Sequence, residues 1–190
     1  MNPVIEAIMQ RRSIRAYEPR PVPRELVEEV IRAGNEAPSG MNNQPWRFVV
    51  LETGESRRKL LEAAVPRAKK LYERLKESNP ERYEAIQQRW REMEDPIYYS
   101  APVIIFVIGH GRFSAHSCPL ACENIMLAAH SMGLGTCWVG SGAMAADDPV
   151  IGKILELKEG ETIFGPILLG YPRIRPGRPS KKEPVIKWIC

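Results

Sequence analysis

Pro102-Val103-Ile104-Ile105-Phe106-Val107-Ile108-Gly109 is a continuous apolar run bounded by a proline and a glycine. A strand with one wet face alternates apolar and polar residues, so an unbroken run of this length predicts a strand buried on both faces, in mid-sheet. Downstream, residues 119–132 are apolar on most sides (Leu120, Ala121, Ile125, Met126, Leu127, Ala128, Ala129), the pattern of a helix buried all round, and Gly133 is placed to stop it. This central helix is also a candidate for dimer packing. Residues 136–139 and 162–170 read as further strands, the latter buried, and residues 150–157 as a short helix.

Upstream, Val4, Ile5, Ile8 and Met9 recur at helical spacing within residues 3–12, with Asn2 as the cap and Pro3 at the first helical position. Pro23 opens a second helix with Leu26, Val27, Val30 and Ile31 on one face, and Gly34 is placed to end it. The stretch Ala37-Pro38-Ser39-Gly40-Met41-Asn42-Asn43-Gln44-Pro45 is too poor in apolar residues to pack as a core element, so it reads as a loop running into a strand over residues 46–51. Residues 56–93 are helical in pattern and strongly charged, with an interruption at Asn79-Pro80. A solvated helical pair is one reading of them, and a cover over a site is the other. No repeat or linker divides the 190 residues, which predicts one domain with a candidate helical cover over residues 66–99 and a basic tail over residues 171–190.

Composition is that of a globular protein, 44% hydrophobic and 26% charged. The first residues lack the charged head and continuous apolar core of a signal peptide, and no apolar run approaches the ~20 residues of a membrane span. The expectation is a cytoplasmic protein that does not enter a membrane. Its four cysteines are then expected to be reduced and mostly buried. Cys118 and Cys122 share a helix face, but no second ligand pair follows, and His110, His116 and His130 make no ligand pattern, so no metal site is expected. The net charge of +4 is concentrated in the tail, where Arg173, Arg175, Arg178, Lys181, Lys182 and Lys187 face only Glu183. A nearly neutral body with a basic, proline-rich tail predicts a local anion site; a nucleic-acid partner would call for a basic stripe across the whole domain.

The chain has no HExxH, GxSxG or GxxxxGK[ST] motif, and Gly133-Leu134-Gly135 lacks the third glycine of a dinucleotide fingerprint and leads into a strand. Any enzymatic chemistry must therefore be carried by a cofactor. Three polar segments fit one. Arg11-Arg12-Ser13-Ile14-Arg15 places three guanidinium groups and a hydroxyl at a helix end. The helix dipole accounts for one or two of them, and the cluster as a whole looks like a fork for a phosphate. Pro38 to Trp46 offers neutral donors and acceptors in a loop stiffened by two prolines, suited to the carbonyls and ring nitrogens of a flat heterocycle, with a plain surface turn as the alternative. Gly135-Thr136-Cys137-Trp138-Val139-Gly140-Ser141-Gly142 is a strand ending in small residues, whose backbone can approach a planar ring closely.

In this order, RRSIR, PSGMNNQPW and GLGTCWVGSG, followed by a basic tail after Leu169-Gly170-Tyr171-Pro172, the chain resembles the nitroreductase family over essentially its whole length. The resemblance implies an α+β fold, a three-layer sandwich with a mixed, mostly antiparallel sheet flanked by helices, in an intertwined homodimer. It implies FMN as cofactor and NADH or NADPH as electron donor, with ping-pong transfer through flavin N5 to a nitroaromatic, a quinone or a related small acceptor. By resemblance, Arg11, Arg12, Ser13 and Arg15 hold the FMN phosphate, ribityl chain and pyrimidine edge. Pro38, Ser39, Gly40 and Asn42, with Gln44 beside them, reach the flavin from the other subunit. Val139, Gly140 and Ser141 lie against the ring, and Lys181 and Lys182 meet the phosphate, with Arg178 as a competitor. Many relatives carry an acidic residue where Gly140 stands. On the same fold the rivals are a reductive dehalogenase or flavin-destroying enzyme, with specific residues in the segment 72–99, or a non-catalytic flavin-binding protein.

Overall fold

A computed structural model describes residues 2–143 and 147–189. Its centre is β2 (Val103–His110), seven of whose eight residues are buried. β1 (Trp46–Leu51) runs antiparallel along one side of it, with Trp46 opposite Gly109 and Leu51 opposite Ile104. The other side is shared by β5 (Ile167–Gly170), paired with Val103 to Ile105, and β4 (Glu161–Ile163), paired with Ile108 to His110. β3 (Gly135–Trp138) closes the order β1-β2-β5-β3 by pairing with β5. These pairs are all antiparallel; a parallel bridge between Ser13 and Thr136 makes the sheet mixed.

Alternate β2 residues face opposite layers, as a period of two requires. Ile104, Phe106 and Ile108 pack with Leu60, Ala64 and Ala68 of α3 (Glu55–Glu73) and with Ile151 and Leu155 at α8 (Pro149–Ile154). Val103, Ile105 and Val107 pack with Val27 and Val30 of α2 (Arg24–Asn35) and with Cys118, Cys122, Ile125 and Ala129 of α6 (Ser114–Ser131). The result is helix, sheet, helix, the α+β sandwich expected. The charged stretch forms α3, α4 (Leu75–Ser78) and α5 (Pro80–Arg91), and Asn79 caps α5 by accepting from the Arg82 N–H. α7 (Gly140–Ala143) follows β3. Among the described residues no helix is long and apolar enough to cross a membrane.

Three expectations need correction. Gly34 does not end α2, which runs through Asn35: a Cβ at Gly34 would stand 2.6 Å from Ile125 Cγ1, so this glycine permits the close crossing of α2 and α6. α6 begins at Ser114 and carries Pro119 inside it, near enough to the start that only the bond from residue 119 to the Ala115 carbonyl is forgone. Residues 162–170 are two short strands, because Phe164 and Gly165 both donate to the Val107 carbonyl and break the ladder between β4 and β5. α1 (Pro3–Gln10) is amphipathic as expected, yet none of its residues is buried: Val4, Ile5, Ile8 and Met9 stand exposed. Residues 174–189 form no helix or strand, and Val185, Ile186, Trp188 and Ile189 are exposed as well.

Candidate functional site

The chain leaves α1 through the arginine segment, and Ile14 pins that segment to the sheet by donating to the Thr136 carbonyl at 2.8 Å. Arg11, Arg12 and Ser13 then line a cleft of about 330 Å³ together with Arg178 and Lys181 of the tail. The tail is held near the end of α6 by Arg175, which donates to the Gly133 carbonyl at 2.9 Å. Of the three tail candidates, Arg178 and Lys181 reach the cleft, while Lys182 is exposed and does not line it. Arg12 donates to the Met9 and Arg11 carbonyls at 2.8 Å each, the helix-end role that the dipole favours, while its partly buried head still borders the cleft. Arg11 stands 3.7 Å from Glu123 of α6. The field here is positive: burial first, then the cations of Arg175, Arg11 and Arg12, hold the His130 imidazole below its ordinary pKa. Four cations and a hydroxyl around one cleft are a donor set for a phosphate.

Arg15 does not share that cleft. It lines a neighbouring cavity of about 360 Å³ with Tyr99, Ser100 and Arg173. The linings of the two cavities adjoin in sequence, Ser13 in one and Arg15 in the other, with buried Ile14 between them along the chain. Val139 spends its N–H on the Pro166 carbonyl at 3.0 Å, so among Val139, Gly140 and Ser141 only the last two open a helical turn with N–H groups lacking an intrahelical acceptor. A Cβ built at Gly140 would meet nothing within 4 Å, so this backbone is open to close approach. The turn is seated on Tyr98, whose ring lies 2.8 Å from a Cβ built at Gly142.

Pro38, Ser39, Gly40, Asn42 and Gln44 are elsewhere, packed by Gly40 against Phe113 and Ser117 at the start of α6. Ser39 Oγ accepts from the Gln44 N–H at 3.0 Å, and the Gln44 amide donates to the carbonyl and side-chain oxygens of Asn42. Met41, Asn42 and Gln44 all have φ between 46° and 54°, left-handed backbone that non-glycine residues adopt only when their surroundings impose it. None of these loop residues lines the cleft beside Arg11.

Sequence reasoning gave no individual role to Glu123, Asp95 or Tyr99, and counted Arg173 only among the cations of the tail. Each acts through a contact distant in sequence, and Asp95-Pro96-Ile97-Tyr98-Tyr99 resembles an ordinary turn before a strand. Thr136 was read only as part of a strand; its Oγ1 is buried and without a partner among the described residues, next to Ser13 across the parallel bridge.

The model of the nitroreductase family matches residues 8–171. A Methanothermobacter thermautotrophicus protein named for an NADH dehydrogenase/NAD(P)H nitroreductase activity is 32% identical over 187 residues, covering 95% of this chain and 83% of its own. An iodotyrosine deiodinase of Haliscomenobacter hydrossis is 29% identical over 174 residues, covering 85% of this chain and 76% of its own. The crystal structure of a Bacteroides fragilis nitroreductase with bound FMN superposes with a TM-score of 0.80 at 26% identity and full coverage of both chains. The chain belongs to the nitroreductase family.

Proposed function

We propose that this chain is an FMN-dependent oxidoreductase that passes electrons from NADH or NADPH to a small organic acceptor, a nitroaromatic, a quinone or a related compound, in a ping-pong cycle. The observation that carries the reading is the convergence of Arg11, Arg12, Ser13, Arg178 and Lys181 on one cleft, beside a second cavity holding Arg15. The B. fragilis relative, aligned over its whole length, binds FMN. When bound, the flavin supplies the redox chemistry; the protein binds, orients and tunes it.

We assign the site residues these roles. Arg11, Arg12, Arg178 and Lys181 would neutralise the phosphate, Lys182 would add charge from outside the cleft, and Ser13 would hold the ribityl chain. Arg15 would address the pyrimidine edge, and the N–H groups of Gly140 and Ser141 would be available to the ring nitrogen that takes up hydride, with buried Val139 beside them. Pro38, Ser39, Gly40, Asn42 and Gln44 would reach the flavin of a second copy in a homodimer. The apolar face of α1, exposed in one protomer, supports that assembly. The whole chain works as one domain, in the cytoplasm; the three described cysteines, Cys118, Cys122 and Cys137, are free and buried, in keeping with a reducing compartment.

Purified protein should be yellow and release FMN, identified by mass, on heating. Anaerobic mixing with NADH and with NADPH should bleach the flavin, and a nitroaromatic or quinone should restore it. FAD in place of FMN, or no flavin after reconstitution, overturns the reading, and a flavin that stays oxidised with both donors makes the chain a carrier. The deiodinase relative favours a second reading, reductive dehalogenation, which requires the reduced protein to release halide from a halogenated aromatic.

A further inference from the structure

We propose that Tyr99 is a positioning residue that fixes the Arg15 guanidinium for the flavin ring; this rests on the FMN reading above. Tyr99 and Ser100 are consecutive residues in left-handed backbone, φ 52° and 50°. Such a conformation persists only when its surroundings over-determine it. Here they do: one Asp95 carboxylate accepts the N–H groups of Ile97, Tyr98 and Ser100 at 3.2, 2.7 and 3.2 Å, and Arg57 holds that carboxylate from behind. The turn gives its two tyrosines different neighbours. Tyr98 is fully buried and supports the turn that carries Gly140 and Ser141. Tyr99 is half-buried against the same core, with the Arg15 guanidinium 5.9 Å and the Arg89 guanidinium 5.2 Å from its ring centroid. Both lie within cation–π reach.

Arg15 is otherwise exposed, on an extended segment with no acceptor recorded for its side chain among the described residues. The Tyr99 ring is what restricts it. Arg89 belongs to α5, so the same ring also ties the helical cover to the cavity that Arg15 lines. A cation held at the pyrimidine edge stabilises the negative charge the ring gains on reduction, so its placement sets the flavin's potential as well as its affinity.

The test compares Tyr99→Phe, which keeps the ring, with Tyr99→Asn, which removes it while suiting left-handed backbone. Tyr99→Asn should weaken FMN binding by about two- to fivefold, the size of one exposed cation–π contact. It should also shift the flavin's midpoint potential to more negative values and alter its absorption envelope, while Tyr99→Phe matches the parent protein. In an Arg15→Gln background the Tyr99→Asn shift should vanish, because the ring acts through that guanidinium. If Tyr99→Asn does not fold by circular dichroism, Tyr99→Leu carries the same comparison. An unchanged potential and affinity in the folded variant, or a shift that persists without Arg15, overturns the proposal. A parent protein that binds no FMN overturns instead the reading on which it rests.

Discussion

Arg57 donates to the Asp95 carboxylate at 3.0 Å, with only 11% and 6% of the two side chains exposed. The pair joins the start of α3 to the turn before β2, and Arg57 continues to the Ala101 carbonyl at 2.7 Å. Everything that meets the candidate ring site from this side, Tyr98 beneath α7 and Tyr99 beside Arg15, hangs on that carboxylate.

Asp95→Ala should therefore be severe. It strands a buried guanidinium and removes the acceptor of three backbone N–H groups, a combination that costs about 3–5 kcal/mol. Urea unfolding measures it; a loss below about 1 kcal/mol would show that the turn holds itself.

A second, partly exposed pair contributes to acid sensitivity. Hydrogen bonds from Arg47, at 2.7 Å to each oxygen, hold the Glu161 carboxyl down at about 2 from its ordinary 4.5. A carboxyl depressed in the folded state contributes stability that is complete above its unfolded pKa and lost as pH falls through the folded one. The loss from this residue should thus run from about pH 4.5 down to about pH 2, and at neutral pH Glu161→Gln should cost on the order of 1 kcal/mol, since solvent reaches Arg47 and screens the pair. Unfolding curves at pH 3 and pH 7 check it: the cost of Glu161→Gln should shrink at pH 3, and an equal cost at both rules this origin out.

The fold was legible where one physical signal dominated. The unbroken run around Phe106 placed β2 at the centre, and the apolar periodicity of α2 and α6 placed the layer below it. Legibility failed where a residue's role depended on a distant partner. Gly34 looked like a stop signal because nothing local reveals that Ile125 lies against it, and Pro119 looked like a start because the turn formed by residues 114–118 has little helical signature of its own. At the candidate site, the arginine cluster announced itself by charge density, and the structure joined it to Arg178 and Lys181. Tyr99 and Glu123 had no such local mark.

Glu123 leads to a third prediction. Its carboxylate lies 3.7 Å from Arg11 and half-exposed, on the flank of a cleft proposed to take a phosphate, so it competes with the ligand for that guanidinium. Glu123→Gln should tighten FMN binding by up to about fivefold, the value of an exposed ion pair. Arg11→Ala should weaken it by about ten- to over a hundredfold, with turnover largely recovered at saturating FMN. Fluorescence titration of apoprotein with FMN reads both, and opposite signs for the two variants are required.

The last prediction links cofactor and assembly. The loop carrying Asn42 is held in strained backbone at the start of α6, away from the cleft of its own chain, and is proposed to complete the site of a second copy. A ligand bound only by the dimer stabilises the dimer by mass action, so FMN affinity and dimerisation must change together. Ile5 tests this without touching the cleft: it is 49% exposed on the apolar face of α1 and does not line the cleft beside Arg11. Ile5→Glu should leave protomer stability within about 0.5 kcal/mol, as for a surface substitution. It should nevertheless shift sedimentation toward monomer and weaken FMN binding in parallel, with added FMN restoring part of the dimer. A monomer that keeps full flavin occupancy would mean that one chain holds the cofactor alone, and an unaltered dimer would remove α1 from the interface.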